Sequence, residues 1–352
     1  MSYQQEALGK EPQPAASTGS APIASHSGEK AERTLSQLKV GGLAVLVLFL
    51  LAFPHIFTLP YQQHVAILIF MNALMAVAWN ITGGYTGQVA LGNTIFFGFG
   101  AYSSAILLKN YLLSPWVGML VGIALSVVVA IAVGYPTFRL KGHYFGIATL
   151  AIGEIFSTVV LNTQQLGAAS GITLPILPES WINIEFHGTN KTPYYYLVLA
   201  FLAIALLTVY KMERSKWGYY FRAIKEDQDG ARALGINPTK YKMLAFILSA
   251  TLTSIAGTFY AQYVMFIDPA SVVYLQLSIG MCLMAVLGGL GTLWGPVIGA
   301  SVLIALSETT RVMIGGTGQG VDMMMYGLLV MIVAVFQPRG LMGLLGRSGR
   351  RK

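Results

Sequence analysis

Residues 116–136 read WVGMLVGIALSVVVAIAVGYP, a run without one charged side chain. A helix of that length rises about 30 Å, the hydrocarbon thickness of a bilayer. Comparable apolar runs continue on both sides of it. Of the 352 residues, 55% are hydrophobic and 10% charged, where a soluble domain carries roughly 25% charged residues. The charges are also gathered: residues 1–39 hold 8, residues 211–242 hold 12 and residues 339–352 hold 5, leaving 11 for the other 267. So few charges cannot cover a soluble surface. The composition excludes an ordinary cytoplasmic enzyme and selects an all-α fold, a polytopic integral membrane helical bundle.

Spans are expected at 40–59, 65–83, 89–108, 116–136, 144–161, 194–210, 243–263, 275–290, 296–312 and 323–336, about ten in all. The glycine-dense stretches 83–100 and 288–299 are each open to a broken helix or a re-entrant segment. Residues 1–36, rich in Pro, Ser, Ala, Gly and Gln, hold no apolar run that offsets the entropy of ordering and read as a disordered tail. Residues 37–345 form the membrane domain, and 346–352 a short basic tail. Ten crossings place Arg139, Lys141, the segment 211–242 and the basic C-terminus on one side, and the loop 162–193, whose only basic residue is Lys191, on the other. The positive-inside rule then sets both termini in the cytoplasm. Basic residues flanking apolar spans anchor to a bilayer, so the net charge of +8 does not call for nucleic acid. Cys282 is the single cysteine, which excludes a disulfide framework within the chain.

The segment 211–242 is too charged to enter lipid. Within it, Ala223, Ile224, Lys225, Glu226, Asp227 and on through Ala231, Leu234 and Gly235 read as one short helix. Ile224, Ala231 and Leu234 share a face, Arg222 and Glu226 are spaced for an i, i+4 pair, and Gly235 suits a left-handed stop before Pro238. Such a helix fits a groove on another protein; a solvated connecting loop is the alternative. Glu308 and Arg311 are spaced for an i, i+3 pair. Asp268, Asp322 and Lys191 are expected on the outer aqueous side. His143, at a boundary, has no second His at metal spacing. A weak internal echo sets Gly87, Gly92, Gly98, Gly100 and Ala101 beside Gly288, Gly291, Gly295, Gly299 and Ala300, as a parallel repeat would.

The string 223–235, continued through Tyr241-Lys242-Met243-Leu244-Ala245-Phe246, resembles the coupling-helix region of permeases of ABC importers for branched-chain amino acids, the LivM type. The likeness covers most of residues 65–345. It includes Gly84-Tyr85-Thr86-Gly87-Gln88-Val89-Ala90-Leu91-Gly92, Arg139-Leu140-Lys141-Gly142, Thr149-Leu150, Gly153-Glu154-Ile155, Leu287-Gly288-Gly289-Leu290-Gly291-Thr292 with Gly295-Pro296, and Arg339-Gly340-Leu341. Each motif is weak alone; their order and spacing together are specific. Asn93 stands where many members carry His, His143 where many carry Asp, and 164–172 departs from a Thr-Gly-Gly turn.

The resemblance implies a non-catalytic permease subunit in a bacterial inner membrane, without cofactor or metal. It implies a heterodimer with a second permease, two cytoplasmic ATP-binding subunits and an extracytoplasmic binding protein. No Gly-x-x-x-x-Gly-Lys-[Ser/Thr] phosphate loop occurs in the chain, so the motor is another chain. Coupling to the ATPase would fall to Ala223, Ile224, Glu226, Asp227, Ala231, Leu234 and Gly235. The translocation pathway would be bordered by Thr86, Gly87, Gln88, Gly92, Asn93, Gly98, Gly100, Gly288, Gly289 and Gly291, because broken helices at membrane depth persist where they line a cavity or are buried in protein; helix packing through small residues is the alternative. Glu154, the one acidic residue deep inside an expected span, is read as a structural or interface residue, a pathway residue or a proton relay. The substrate is expected to be a branched-chain or related amino acid, with urea, amides and small aromatic or organic acids as alternatives. A proton-coupled secondary transporter working through Glu154, a channel and a membrane enzyme are rival classes. The last lacks any Ser/His/Asp, paired-carboxylate or metal-spaced His set.

Overall fold

The structure is a computed structural model that describes residues 41–42, 45, 47–140, 143–186, 191–313, 324, 327–328, 331 and 340–343. The tails expected at 1–36 and 346–352, most of the span expected at 323–336, and Lys141, Gly142, Asp322 and Arg339 lie outside the described residues. A first unit ends at Ile56 and holds α1 (Val47–Ile56), a short apolar helix in which Phe49 and Phe53 meet edge to face.

The second unit begins at Phe57. Its helices are α2 (Pro60–Asn80), α3 (Thr94–Tyr111), α4 (Pro115–Thr137), α5 (His143–Asn162), α6 (Thr192–Arg214), α7 (Lys216–Glu226), α8 (Gln228–Ala233), α9 (Pro238–Val264), α10 (Pro269–Val272), α11 (Leu275–Gly288) and α12 (Gly295–Met313). Proline sits in the first turn of α2, α4, α6 and α9, where its missing N–H costs nothing and its fixed φ suits the helix. Ser114 caps α4 by accepting from Trp116 N at 3.4 Å, and Asn237 caps α9 by accepting from Lys240 N at 3.2 Å.

Among the described residues, six helical segments are long and apolar enough to cross a membrane: Pro60–Tyr85, Pro115–Thr137, Tyr144–Asn162, Thr192–Arg214, Pro238–Val264 and Pro269–Gly288. The span expected at 89–108 is corrected. Gly87 takes φ +71° and the backbone stays irregular until α3 starts at Thr94, so the first residues of that stretch belong to a break. The span expected at 275–290 ends at Gly288, because Gly289 has φ 129°.

α3, α4 and α9 pack as one group, while α2 lies among α6, α9, α11 and α12. The α2 span is 78% buried, whereas those of α4 and α5 are 28% buried. A helix apolar all round and buried is central; one apolar and open faces lipid or another chain. Lipid tails are as apolar as Leu, so what holds such helices together is close van der Waals contact and interhelical hydrogen bonds. Both are present. A Cβ at Gly100 would strike the Ser254 backbone and one at Gly257 the Phe97 backbone, which brings α3 and α9 to backbone contact. Beside them Phe96, Phe138, Phe145 and Phe246 form an aromatic cluster, with Phe138 stacked on Phe145 at 5.0 Å and Phe96 edge-on to Phe246 at 5.1 Å, each pair contributing about 1 kcal/mol.

The loop 162–193 is structured where described. Ile172–Thr173 (β1) pairs antiparallel with Phe266–Ile267 (β2), Ile172 opposite Ile267, and the buried carboxylate of Glu185 accepts from Leu177 N at 2.9 Å. Asp268 does more than carry a solvated charge: with Ser271 it forms the capping box of α10.

Candidate functional site

The segment 211–242 folds as two helices, which corrects the single helix expected over 223–235. Ser215 starts α7 by accepting from Trp217 N at 3.2 Å. Phe221 and Ile224, on its inner face, are buried, and the helix packs on α9 and on the end of α2. At Asp227 the backbone turns extended, φ −151° and ψ 113°, and its carboxylate accepts from Asp229 N at 2.9 Å to cap α8. An Asp that bonds its own downstream N–H competes with helix continuation, so the break is written in Asp227-Gln228-Asp229. Ala231 is buried on α8, Leu234 is 81% exposed, and Gly235 ends the segment at φ +82°. Ile224 and Ala231 therefore pack inward and do not share an outward face with Leu234. The outward surface is made by Glu226, Asp227, Arg232 and Leu234, with Ala223 half-buried beside it. Arg222 pairs with Glu213 of α6 and not with Glu226, because the two helices fold back around Ser215. Lys242, buried on α9, donates to Gln228 Oε1 at 2.8 Å and ties α8 to α9.

The second half of the site is the broken end of α2. Its last turn, Ile81–Tyr85, is a π turn, which leaves carbonyls without their usual i+4 partners. Four groups take them up or fix the irregular segment that follows. Thr86 Oγ1 donates to Thr82 O at 2.7 Å and Gln88 N to the same oxygen at 3.1 Å. Lys225 of α7 donates its ammonium to Gly84 O at 2.8 Å, a cation at the negative end of a long helix. Trp79 Nε1 donates to Ala90 O at 2.6 Å.

Asn80 joins this break to the other one. Its Nδ2 donates to Thr292 O at 3.0 Å and its Oδ1 accepts from Gly291 N at 2.9 Å. Gly291 adopts φ +71°, a left-handed backbone that costs a side chain roughly 1–2 kcal/mol. A Cβ on Gly84 would overlap the Asn80 amide and sit 2.5 Å from Gly291 N. The two glycine-rich stretches thus meet at one point, next to Lys225, whose Nζ lies 3.4 Å from where a Gly291 Cβ would be. The other expected pathway residues form tight contacts: Gly92 on the Thr149 backbone, Gly98 on Phe156 and Val273, Gly100 on Ser254, and Gly288 on Gly295. Gly289 holds the turn out of α11. Asn93, buried, donates to Ser249 Oγ at 3.1 Å.

Asn93 opens a polar seam between α3 and α9. Thr258 Oγ1 donates to Gly100 O at 3.0 Å and Gln262 Nε2 to Ser104 Oγ at 2.9 Å. Asn93 Oδ1, Ser254 Oγ and Gln262 Oε1 are buried without a partner among the described residues. Ser254, Thr258 and Gln262 recur at spacings of four, a stripe visible in the sequence of α9 once the apolar face is set aside. Asn80 and Lys225 carry no such signal; their partners lie 211 and 141 residues away.

At the far end of α2, about 30 Å from Gly84 by helix rise, His64 Nδ1 and Tyr263 Oη are 2.5 Å apart, and Lys191 Nζ donates to Tyr263 Oη at 3.3 Å. Glu185, Phe186, Lys191, Tyr194 and Tyr263 line an open cavity of about 260 Å³ there. The Glu308–Arg311 pair forms as expected, at 3.7 Å. Glu154 is not enclosed: it sits on the exposed face of α5.

Residues 63–334 match the family model described as branched-chain amino acid transport system / permease component. The permease protein LivM of Salmonella typhimurium is 26% identical over 79% of this chain and 69% of its own length. LivH of Escherichia coli is 25% identical over 77% of this chain and 91% of its own. A probable LivM of Methanocaldococcus jannaschii is 23% identical over 72% and 81%. With a buried α2, two broken helices clamped together and six membrane-length apolar segments, the chain belongs to the branched-chain amino acid transport permease family, a multi-pass, non-catalytic membrane component of a bacterial transport system.

Proposed function

We propose that this chain is one membrane half of an ATP-driven importer for branched-chain or related amino acids. In this reading it crosses the membrane about ten times with both termini in the cytoplasm, and segment 211–242 faces the ATPases while loop 162–193 faces outward. It works as a heterodimer with a second permease, beside two ATP-binding subunits and an extracytoplasmic binding protein.

One observation carries the proposal: α7 and α8 present charges and an exposed Leu234 outward while, on the opposite side, Lys225 holds the carbonyl of Gly84 at the broken end of α2. A push on α7 would reach the break through Lys225, and a push on α8 would reach α7 across the turn at Asp227. Closure of the ATPase pair would displace α7, release or strain the Lys225 bond, and so move α2 against α11 and α12 through Asn80. At the other end, the Lys191–Tyr263–His64 contact would open as the inner end closes. Neutral hydrogen-bonding groups around the breaks suit a zwitterion that must be released as well as held.

Leu234→Glu is the test of the docking surface. It changes an exposed side chain, so the spans stay folded, and co-purification of the ATP-binding subunits should fall at least tenfold. Undiminished co-purification would remove α8 from the docking surface. Ala231 is unsuited to this test, since its burial makes any bulky replacement a folding variant.

A further inference from the structure

We propose that the outward face of α5 is the contact surface for the second permease chain, and that Glu154 meets a hydrogen-bond donor or cation of that chain within the membrane; this rests on the importer reading above. α5 packs inward through Gly146, Thr149, Gly153 and Phe156, which lie against Val89, Gly92, Thr94 and Gly98. The inward face therefore abuts the break between α2 and α3. The opposite face, through Ile147, Ala151, Glu154 and Thr158 at spacings of four, three and four, is exposed, with Ile147 at 62% and the neighbouring Ile155 at 64%.

Glu154 lies mid-way along this span. Its carboxylate has no hydrogen-bond or ion-pair partner among the described residues, and Thr158 spends its hydroxyl on the Glu154 backbone carbonyl at 2.9 Å. A bare carboxylate facing hydrocarbon is costly and is found where a partner or water meets it. Lipid tails offer neither. A second copy of this chain meeting the face across a two-fold axis would set carboxylate toward carboxylate, which is unfavourable. The occupant is thus a different membrane-embedded chain, apolar where it meets Ile147 and Ile155 and carrying Lys, Arg, His, Asn or Ser opposite Glu154. Because α5 backs directly onto the break at 89–92, this contact also positions the break.

The experiment uses the full chain with Cys282→Ser, which removes its one cysteine, and a single new cysteine introduced by Ile155→Cys. Pyrene maleimide, a lipid-soluble thiol reagent, is applied to membranes holding this chain alone and to membranes holding it with a LivH-type permease and ATP-binding subunits expressed from the same source. Labelling should fall at least tenfold in the second membranes. Glu154→Lys should restore labelling and lose the second permease from the purified complex, while Glu154→Gln should leave labelling low and the second permease bound. Equal labelling of the Ile155→Cys thiol in the two membranes, or a Glu154→Lys chain that still binds the second permease, would overturn the proposal. Co-purification of the ATP-binding subunits is scored in the same preparations, so failure of this contact and failure of the importer reading give different results.

Discussion

Replacing Lys225 by Met keeps the apolar stem and removes the ammonium that donates to Gly84 O at 2.8 Å. A hydrogen bond from a charged donor contributes about 1.5–3 kcal/mol. Lys225 is open to solvent along part of its length, which screens the charge, so about 1 kcal/mol is the reasonable share. That free energy shifts an equilibrium between held and released α2 by about fivefold. Three consequences follow for the complete complex in proteoliposomes. ATP hydrolysis without substrate should rise, because the break no longer resists movement of α7. Leucine taken up per ATP hydrolysed should fall by about fivefold. Binding of the ATP-binding subunits should be unchanged, because Lys225 points toward α2 and the outward surface is intact. Lys225→Arg, which retains a cationic donor, should recover most of the coupling. The readout is paired phosphate release and leucine uptake on the same vesicles. If Lys225→Met moved leucine and hydrolysed ATP in the wild-type ratio, the link from α7 to the break would carry no coupling.

Gly84→Ala places a Cβ on the Asn80 amide and should lower the thermal midpoint of the detergent-purified chain, with a loss of about 1–3 kcal/mol; an unchanged midpoint would show that the two breaks are not in contact. Asn80→Ala removes both bonds to the 291–292 backbone and should cost about 2 kcal/mol, seen as easier proteolysis between α11 and α12. Arg222→Ala breaks an exposed pair with Glu213 and should change stability by less than about 0.5 kcal/mol. Tyr263→Phe removes the hydroxyl shared by His64 and Lys191 and should raise the accessibility of a cysteine placed at Met265 to an impermeant thiol reagent, with no change if that contact does not hold the far end closed.

The long apolar elements are legible because length and hydropathy are local quantities. The span read at 116–136 is the helix Pro115–Thr137, and the one at 194–210 is contained in Thr192–Arg214. Their proline starts and polar ends need no tertiary partner. The break after Asn80 is only half legible. Gly83, Gly84 and Gly87 announce that a helix is free to stop, but the stop is stabilised by Asn80, Lys225 and Thr86, two of which act on distant backbone. At Asp227 two local signals compete: periodicity carries one helix through it, while its bond to Asp229 N makes a cap and wins. Position along the chain places Glu154 deep in a span and leaves its direction open. Which side of α5 faces the bundle is decided by Gly146, Gly153 and Phe156 packing on the 89–98 stretch, a preference that composition alone does not express.

The most direct measurement concerns where the energy enters. Vesicles carrying this chain with its second permease but without ATP-binding subunits are loaded with a proton gradient and offered labelled leucine and the binding protein. ATP-driven coupling through α7 and α8 requires that no leucine accumulates above its external concentration until the ATP-binding subunits and ATP are supplied, and that Leu234→Glu abolishes that accumulation. Accumulation against the gradient in the absence of ATP would contradict it.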